Sequence, residues 1–297
     1  MKIKKFAAID IGSNAMRVLI SNVIETKEGV HFQKNALVRA PIRLGEDSFT
    51  LGEISKKNLK RMINAMKAFK LLMKVHGVSH YQAFATSALR EANNSRDVVE
   101  QVKKKSGIKI EIIDGRKEAE IISNSKICDF LNVQKTFLFV DVGGGSTEFT
   151  FINDGKRVSS KSFKIGTVRL INSLVDDKVW ESIRNWIIKN AKPYRKITLM
   201  GSGGNINKLF KLSKIREGKP LSIIKLNQIF MELESHTYDE RIVNFELNPD
   251  RADVIIPAAR IYLKALEWAG EQKIYVPKFG LSDGMIKLMH KNLCKKY

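Results

Sequence analysis

A glycine-rich segment between two carboxylates, Asp141-Val-Gly-Gly-Gly-Ser-Thr-Glu148, has the residue types needed to bind phosphate together with a metal. The backbone amides of its glycines can surround phosphate oxygens because no side chain intervenes. Asp141 and Glu148 provide the hard oxygen ligands that Mg²⁺ takes alongside water and substrate phosphates. We therefore predict a metal site at these carboxylates; a hairpin that tolerates glycine is the alternative. The predicted phosphate-binding residues of the turn are Gly143, Gly144 and Gly145.

A second turn with anion-binding capacity lies near the start of the chain, in Asp10-Ile-Gly-Ser-Asn-Ala-Met-Arg17. Its glycine allows close backbone approach, and the side chains of Ser13, Asn14 and Arg17 can donate hydrogen bonds to an anion. Such a turn can hold a phosphate. Taken alone, however, it is more typical of a plain hairpin between two strands.

A third glycine cluster, Gly201-Ser-Gly-Gly204, follows the apolar segment Ile197 to Met200 and precedes a predicted helix. Backbone amides at the positive end of a helix bind anions. The cluster therefore indicates a second phosphate contact, made by Gly201 and Ser202. A tight strand-to-helix turn without a ligand fits the spacing nearly as well.

Two further polar residues follow predicted strands closely, where ligand crevices of α/β sheets form. Arg90 can bind a phosphate through two nitrogens, and Glu118 lies in the first turn of a predicted helix. Each has a structural alternative, a surface ion pair for Arg90 and complementation of the helix macrodipole for Glu118. Alone, neither position identifies a site.

The elements that position these residues follow from the spacing of apolar side chains. Three successive apolar segments in the first part of the chain predict strands. A helix is predicted from about Ser55 to His76, because apolar residues recur there at three- and four-residue intervals opposite lysines. A strand and a helix follow, then a strand from Ile108 to Ile113 and a helix from about Arg116 to Phe130.

The pattern of three strands followed by alternating helix and strand then begins again near Thr136. Asp10 and Asp141 occupy equivalent positions, since each ends an apolar strand and opens a turn that contains Gly and Ser. This repeat indicates an internal duplication. It predicts an α/β fold of two domains, which we assign to residues 1–121 and 122–297.

Composition limits the class of protein. The 297 residues, 43% of them hydrophobic, suffice for two cores. The 52 Lys and Arg against 31 Asp and Glu leave a net charge of +21, which favours polyanionic partners; a basic, solvated surface is an equal alternative. Because the chain has no apolar run of about 18 residues and begins with a charged segment, we expect a soluble, cytoplasmic protein without membrane contacts.

Cysteine and histidine carry no recognisable pattern. Cys128 and Cys294 lack the Cys-x-x-Cys spacing of a thiolate zinc site, and the histidines are dispersed without a ligand motif. We therefore expect ordinary reduced thiols and assign no catalytic role to histidine.

Taken together, the polar segments resemble the exopolyphosphatase and guanosine pentaphosphate phosphohydrolase (Ppx/GppA) family, which belongs to the superfamily of sugar kinases, acetate kinase and actin. The resemblance covers nearly the whole chain and keeps the family order. It rests on Asp10-Ile-Gly-Ser-Asn, Ala85-Thr-Ser-Ala-Leu-Arg-Glu-Ala, Gly115-Arg-Lys-Glu-Ala, Asp141-Val-Gly-Gly-Gly-Ser-Thr-Glu, Gly166-Thr-Val-Arg-Leu, Gly201-Ser-Gly-Gly and Leu281-Ser-Asp-Gly-Met.

The resemblance implies a fold and a role for each site residue. The fold is two actin-like (ribonuclease H-like) α/β domains with an active-site cleft between them, and a homodimer is expected. Glu118 matches the glutamate regarded as catalytic, and Asp141 and Glu148 match metal-associated carboxylates. The phosphate-contacting positions that match are Ser13, Asn14, Arg90, Gly143, Gly144, Gly145, Ser146 and Ser202.

The resulting hypothesis is a hydrolase that removes the terminal phosphate of inorganic polyphosphate, with Mg²⁺ or Mn²⁺ as cofactor and water activated by Glu118. Guanosine pentaphosphate is the alternative substrate, and a phosphotransferase of the same fold is a further alternative. A nucleic-acid-binding module is supported by charge alone, so no specific nucleic acid is expected. Longer family members carry a helical C-terminal extension that this sequence lacks, and we therefore expect a weaker hold on very long polyphosphate.

Overall fold

The computed structural model describes residues 1–123 and 136–294 of the chain. The chain divides into two compact units, the first formed by Met1–Lys126 with Gly280–Tyr297 and the second by Ile127–Phe279. Each unit is built on one mixed sheet with helices, which confirms the predicted α/β fold class.

The sheet of the first unit has five strands in the order β3-β2-β1-β4-β5. The first three pair antiparallel, whereas β4 runs parallel to β1, and β5 runs parallel to β4. The strands are β1 Lys2–Ile11, β2 Met16–Thr26, β3 Gly29–Ala40, β4 His80–Ala85 and β5 Glu111–Ile112. The helices between Leu44 and Ser123 are α1 Leu44–Thr50, α2 Lys56–Val75, α3 Ser87–Glu91, α4 Ser95–Ser106 and α5 Gly115–Ser123.

Helix α2 shows how the pattern of apolar residues produces the first core. Ser55 caps its start by accepting a hydrogen bond from the backbone N–H of Asn58 at 3.2 Å. Its apolar face, including Met62, Met66 and Phe69, is buried in the core that also takes the inner side chains of β1 and β2. The helix predicted from Ser55 to His76 is thus confirmed.

The second unit has six strands in the order β10-β11-β9-β6-β7-β8. They are β6 Thr136–Val142, β7 Thr147–Asn153, β8 Lys156–Phe163, β9 Ile197–Ser202, β10 Leu221–Ser222 and β11 Lys273–Tyr275. The helices are α6 Thr167–Ile171, α7 Asp177–Ala191, α8 Gly204–Leu212, α9 Ile223–Glu234, α10 Tyr238–Asn244, α11 Pro249–Ala252 and α12 Ile255–Ala269. Helix α12 packs against β6 and β9, and its buried residues include Ala258, Ala265 and Tyr262, the last of them completely buried.

The predicted duplication is confirmed by strand order and direction. In both units the first strand pairs antiparallel with the second and parallel with the fourth, and the third strand lies outside the second. The registers also match, because Asp10 lies opposite Arg17 in the first unit and Asp141 lies opposite Glu148 in the second.

The last described helix, α13 Leu281–Cys294, belongs to the first unit, whereas the predicted second domain continued to residue 297. Helix α13 packs on α5, β1, β2 and β4. A Cβ on Gly284 would lie 2.2 Å from the carbonyl oxygen of Ile121, so glycine permits this close contact with α5. The order of elements along the chain does not reveal such a return of the last helix to the first unit.

Two other predicted elements differ in length. The strand predicted from Ile108 to Ile113 is reduced to Glu111–Ile112. The helix predicted from Arg116 to Phe130 is observed as Gly115–Ser123, and its predicted continuation lies outside the described residues.

Candidate active site

Asp141 and Glu148 face each other at the carboxyl end of β6. They are register partners in the antiparallel β6–β7 ladder, and on the other side Asp141 is the parallel partner of Ser202 in β9. The hydroxyl of Ser202 donates a hydrogen bond of 2.6 Å to Oδ1 of Asp141. Ladder geometry therefore brings together three polar residues that the sequence places in two separate motifs.

Glu148 is held by two serine hydroxyls. Ser146 donates to its Oε1 at 2.7 Å, and Ser162 from β8 donates to the same oxygen at 2.8 Å. The glutamate is only 2% exposed, and a buried carboxylate needs such charge-assisted bonds. Sequence reasoning missed Ser162, since its relation to Glu148 exists only through strand pairing.

The three-glycine turn is anchored by the segment that begins α6. The N–H groups of Thr167 and Val168 donate to the carbonyls of Gly143 and Gly144 at 3.0 and 2.8 Å. Arg169, which is buried, donates from Nε to the carbonyl of Gly145 at 2.7 Å. The turn is therefore held through its carbonyls, a function that sequence reasoning did not assign to the Gly166-Thr-Val-Arg-Leu segment.

The glycines at the carboxyl end of β9, one within the strand and one just after it, serve two purposes. A Cβ on Gly201 would lie 2.7 Å from Cδ1 of Ile274, so this buried glycine allows close packing. Gly203 has φ of +110°, and a Cβ there would approach Oδ1 of Asp141 to 3.3 Å. Space beside the Asp141 carboxylate is thus kept open by glycine.

Tyr262, which is buried in the core of the second unit, supports the carboxyl ends of β6 and β9. Its hydroxyl donates to the carbonyl of Ser202 and accepts a 3.4 Å hydrogen bond from the N–H of Val142. Burial, and secondarily the charge of Asp141, raise the pKa of the Tyr262 hydroxyl well above its ordinary value. The tyrosine therefore stays neutral and remains a donor, a role that no sequence motif indicated.

The equivalent turn of the first unit has the same backbone frame. Gly12 donates its N–H to the carbonyl of Ala15 at 3.1 Å, as Gly143 does to Ser146 at 2.9 Å. Ser13 is buried, and its hydroxyl lies 2.9 Å from that of Ser87. Asn14, also in this turn, is partly exposed.

The charges at this turn differ from those in the second unit. The Nε of Arg17 lies 3.3 Å from Oδ2 of Asp10, so the cation predicted to bind phosphate forms an ion pair within the sheet. Burial raises the pKa of the Asp10 carboxyl, and the charge of Arg17 opposes that rise. In the second unit, the position equivalent to Arg17 holds the carboxylate of Glu148.

Arg90 and Glu118 lie after the carboxyl ends of β4 and β5, on the same sheet edge as the Ser13 turn. Arg90 donates from Nη1 to the carbonyl of Ile113 at 2.8 Å. Glu118 is 8% exposed in the first turn of α5, and Asp114 caps this helix by accepting from the N–H of Lys117 at 2.7 Å. The first unit thus brings the predicted residues Ser13, Asn14, Arg90 and Glu118 to one edge of its sheet.

The donor set of the second unit fits a hard divalent cation. Asp141 and Glu148 offer carboxylate oxygens from adjacent strands, and serine hydroxyls fix the orientation of both groups. Ser146 and Ser202 were predicted to contact phosphate, and in this structure their hydroxyls donate to these carboxylates.

Comparison with known proteins identifies the family. A model of the Ppx/GppA phosphatase family matches residues 23–293. The chain is 24% identical to exopolyphosphatase 1 of Mycobacterium tuberculosis, over 95% of this chain and 87% of that protein. It is 27% identical to a bifunctional 3-dehydroquinate synthase/phosphatase of Fusobacterium nucleatum over 91% of this chain, which spans only 44% of that protein. An exopolyphosphatase structure from Cytophaga hutchinsonii superposes with a TM-score of 0.85 at 25% identity, over 97% of this chain and 98% of that one.

These matches define the class of protein as a hydrolase of phosphoanhydrides. The chain belongs to the Ppx/GppA phosphatase family. The predicted family resemblance is thereby confirmed. In the described part of the chain, no helix combines the length and apolar composition that a membrane span requires.

Proposed function

We propose that this protein is an exopolyphosphatase, which hydrolyses the terminal phosphate of inorganic polyphosphate with the help of a divalent cation. The observation that carries the proposal is the pair of facing carboxylates, Asp141 and Glu148, beside a three-glycine turn. It occurs in a Ppx/GppA chain whose relatives include an exopolyphosphatase.

Glu118 is the proposed general base. Its carboxylate orients a water molecule and accepts a proton as the water oxygen attacks the terminal phosphorus. The bond from that phosphorus to the bridging oxygen breaks, and the shortened chain leaves with the bridging oxygen. Such phosphoryl transfer needs little covalent help from the protein, so positioning and charge neutralisation supply most of the rate.

Amides and cationic side chains are the proposed phosphate contacts. Gly143 uses its N–H within the turn, so the proposal assigns phosphate oxygens to the amides of Gly144 and Gly145. Arg90 supplies positive charge at the edge that also carries Ser13 and Asn14. Arg17 is a weaker candidate for phosphate binding, because it already forms an ion pair with Asp10.

Asp141 and Glu148 are the proposed ligands of Mg²⁺, with Mn²⁺ as an alternative ion. The hydroxyls of Ser146, Ser162 and Ser202 hold the two carboxylates in fixed orientations. When bound, the cation neutralises charge on phosphate oxygens.

The net charge of +21 supports polyphosphate over a nucleotide, since the phosphates beyond the cleaved one also need a positive surface. The homodimer implied by the family resemblance stays a prediction.

The test is phosphate release from short polyphosphate, long polyphosphate and guanosine pentaphosphate in parallel, with and without Mg²⁺. The Glu118→Gln variant should lose about 100-fold or more in turnover while it still binds substrate, because only proton acceptance is removed. Glu120→Gln, an exposed glutamate in the same helix, is the matched control. A Glu118→Gln enzyme with the wild-type rate would refute the base assignment, and release from the nucleotide alone would refute the substrate assignment.

A further inference from the structure

Three potential metal ligands meet in the first unit, outside the proposed active site. They are Glu25 near the end of β2 and His290 and Cys294 in the last turns of α13. One ligand atom from each lies within 4.8 Å of the other two. Glutamate oxygen, imidazole nitrogen and thiolate sulfur are all ligands of zinc in proteins.

The spacing of these atoms resembles the edges of a zinc tetrahedron. Zinc bonds of ordinary length place nitrogen and oxygen ligands about 3.3 Å apart, and sulfur and nitrogen ligands about 3.6 Å apart. Here Nε2 of His290 lies 3.1 Å from Oε1 of Glu25, and Sγ of Cys294 lies 3.5 Å from that Nε2. A cation could therefore enter with small side-chain adjustments.

The fold holds the ligands in place without a metal. His290 and Cys294 are four residues apart on one helix, so their side chains lie on the same face. Phe32 from β3 packs edge-on against the His290 ring, with ring centroids 5.7 Å apart. The side chains of His290 and Glu25 are 12% and 28% exposed, so the cluster is sheltered yet accessible from solvent.

The cluster is separate from the residues assigned to catalysis in the same unit. Glu25 pairs with Lys2 at the start of β1, whereas the Ser13 turn follows the other end of that strand. Asp10 lies eight positions beyond Lys2 along β1, a distance of about 26 Å.

We propose that Glu25, His290 and Cys294 form a site for a zinc-class divalent cation. The fourth position belongs to water, as in other zinc sites with three protein ligands. Binding replaces the His290–Glu25 hydrogen bond, takes the neutral imidazole through Nε2, and releases the thiol proton of Cys294. Bound metal would join α13 to β2 and so tie the end of the described chain to the sheet.

Lys4 competes with the proposed metal ion for the carboxylate of Glu25. Its Nζ lies 3.3 Å from Oε1 of Glu25, the same oxygen that faces His290. A bound metal must share or displace this ammonium group, and the repulsion between the two cations weakens binding. Lys4→Met should therefore bind the metal more tightly than the wild type.

The experiment is titration of the reduced, chelator-treated full chain with Co²⁺, a spectroscopic substitute for zinc. We expect thiolate-to-cobalt charge-transfer absorption that saturates at a single ion per chain and disappears when Zn²⁺ is added. Cys294→Ser should abolish this band, and Cys128→Ser should retain it. His290→Gln should weaken apparent affinity by about 10-fold or more, whereas His236→Gln, at a half-buried histidine outside the cluster, should not.

The proposal is overturned if the wild type gives no thiolate band, or if Cys294→Ser keeps it. Cys294 is exposed, so its replacement by serine should leave folding intact and preserve this comparison. The readout is independent of the proposed function, because Asp141 and Glu148 offer oxygen only and give no such band. Phosphate release by the Cys294→Ser variant should equal that of the wild type.

Discussion

The two copies of the duplicated turn differ in the charge of the residue that faces their aspartate. Asp10 faces Arg17 across its ladder, and Asp141 faces Glu148 at the equivalent position. The first pair contains its own cation, while the second joins two carboxylates and so favours a cation from solution. The same backbone frame can thus hold a structural ion pair in one unit and a candidate metal site in the other.

The serine that supports Glu148 from β8 provides a test at the scale of a single residue. Ser162→Ala removes one of the two hydroxyl bonds to Oε1 of Glu148. The loss of such a partner should raise the Mg²⁺ concentration for half-maximal phosphate release by roughly 10-fold. Ser160→Ala is the matched control, since this serine lies on the same strand and its hydroxyl lies 2.9 Å from the hydroxyl of Thr150. Equal Mg²⁺ requirements in the two variants would contradict the role of Ser162.

At the scale of elements, the short helix α6 acts as a clamp on the glycine turn. Two of its amides and the Arg169 side chain bind consecutive carbonyls of that turn. Each carbonyl shares a planar peptide group with the N–H of the following residue. Hydrogen bonds that hold the carbonyls therefore also fix the direction in which these N–H groups point. The clamp therefore prepares the turn for an anion before any ligand arrives.

Gly166, directly before α6, should be intolerant of a side chain. A Cβ there would lie 2.4 Å from the carbonyl carbon and oxygen of Gly144, both of them backbone atoms that cannot rotate away. We expect Gly166→Ala to lower stability by about 1–3 kcal/mol and to reduce phosphate release, as measured by urea unfolding and activity. Gly280→Ala serves as the control, because its Cβ would meet nothing within 4 Å. An unfolding midpoint as high for Gly166→Ala as for the control would argue against the clamp.

At the scale of the whole molecule, the charge of +21 should govern substrate preference through salt. Polyphosphate contacts more cationic groups than a nucleotide, and each contact releases counterions. The KM for long polyphosphate should therefore rise steeply with ionic strength, and the KM for guanosine pentaphosphate should rise less. Steady-state kinetics over a salt series measures both slopes, and equal, shallow slopes would contradict the argument from charge.

The amino-acid sequence by itself determined the fold class, the duplication and the position of each glycine turn. Those features are local: an apolar strand that ends in Asp-x-Gly signals both the strand and the turn, as at Asp10 and Asp141. Family resemblance added roles, including that of Glu118, which no local pattern distinguishes from other helix-start glutamates.

Tertiary structure alone decided which distant residues support those turns. Ser162 reaches Glu148 through strand pairing, Arg169 reaches Gly145 from α6, and Tyr262 reaches Ser202 from α12. The return of α13 to the first unit brings His290 to Glu25 from 265 residues along the chain. Such contacts depend on packing and register between elements, and no spacing in a single segment of the sequence records them.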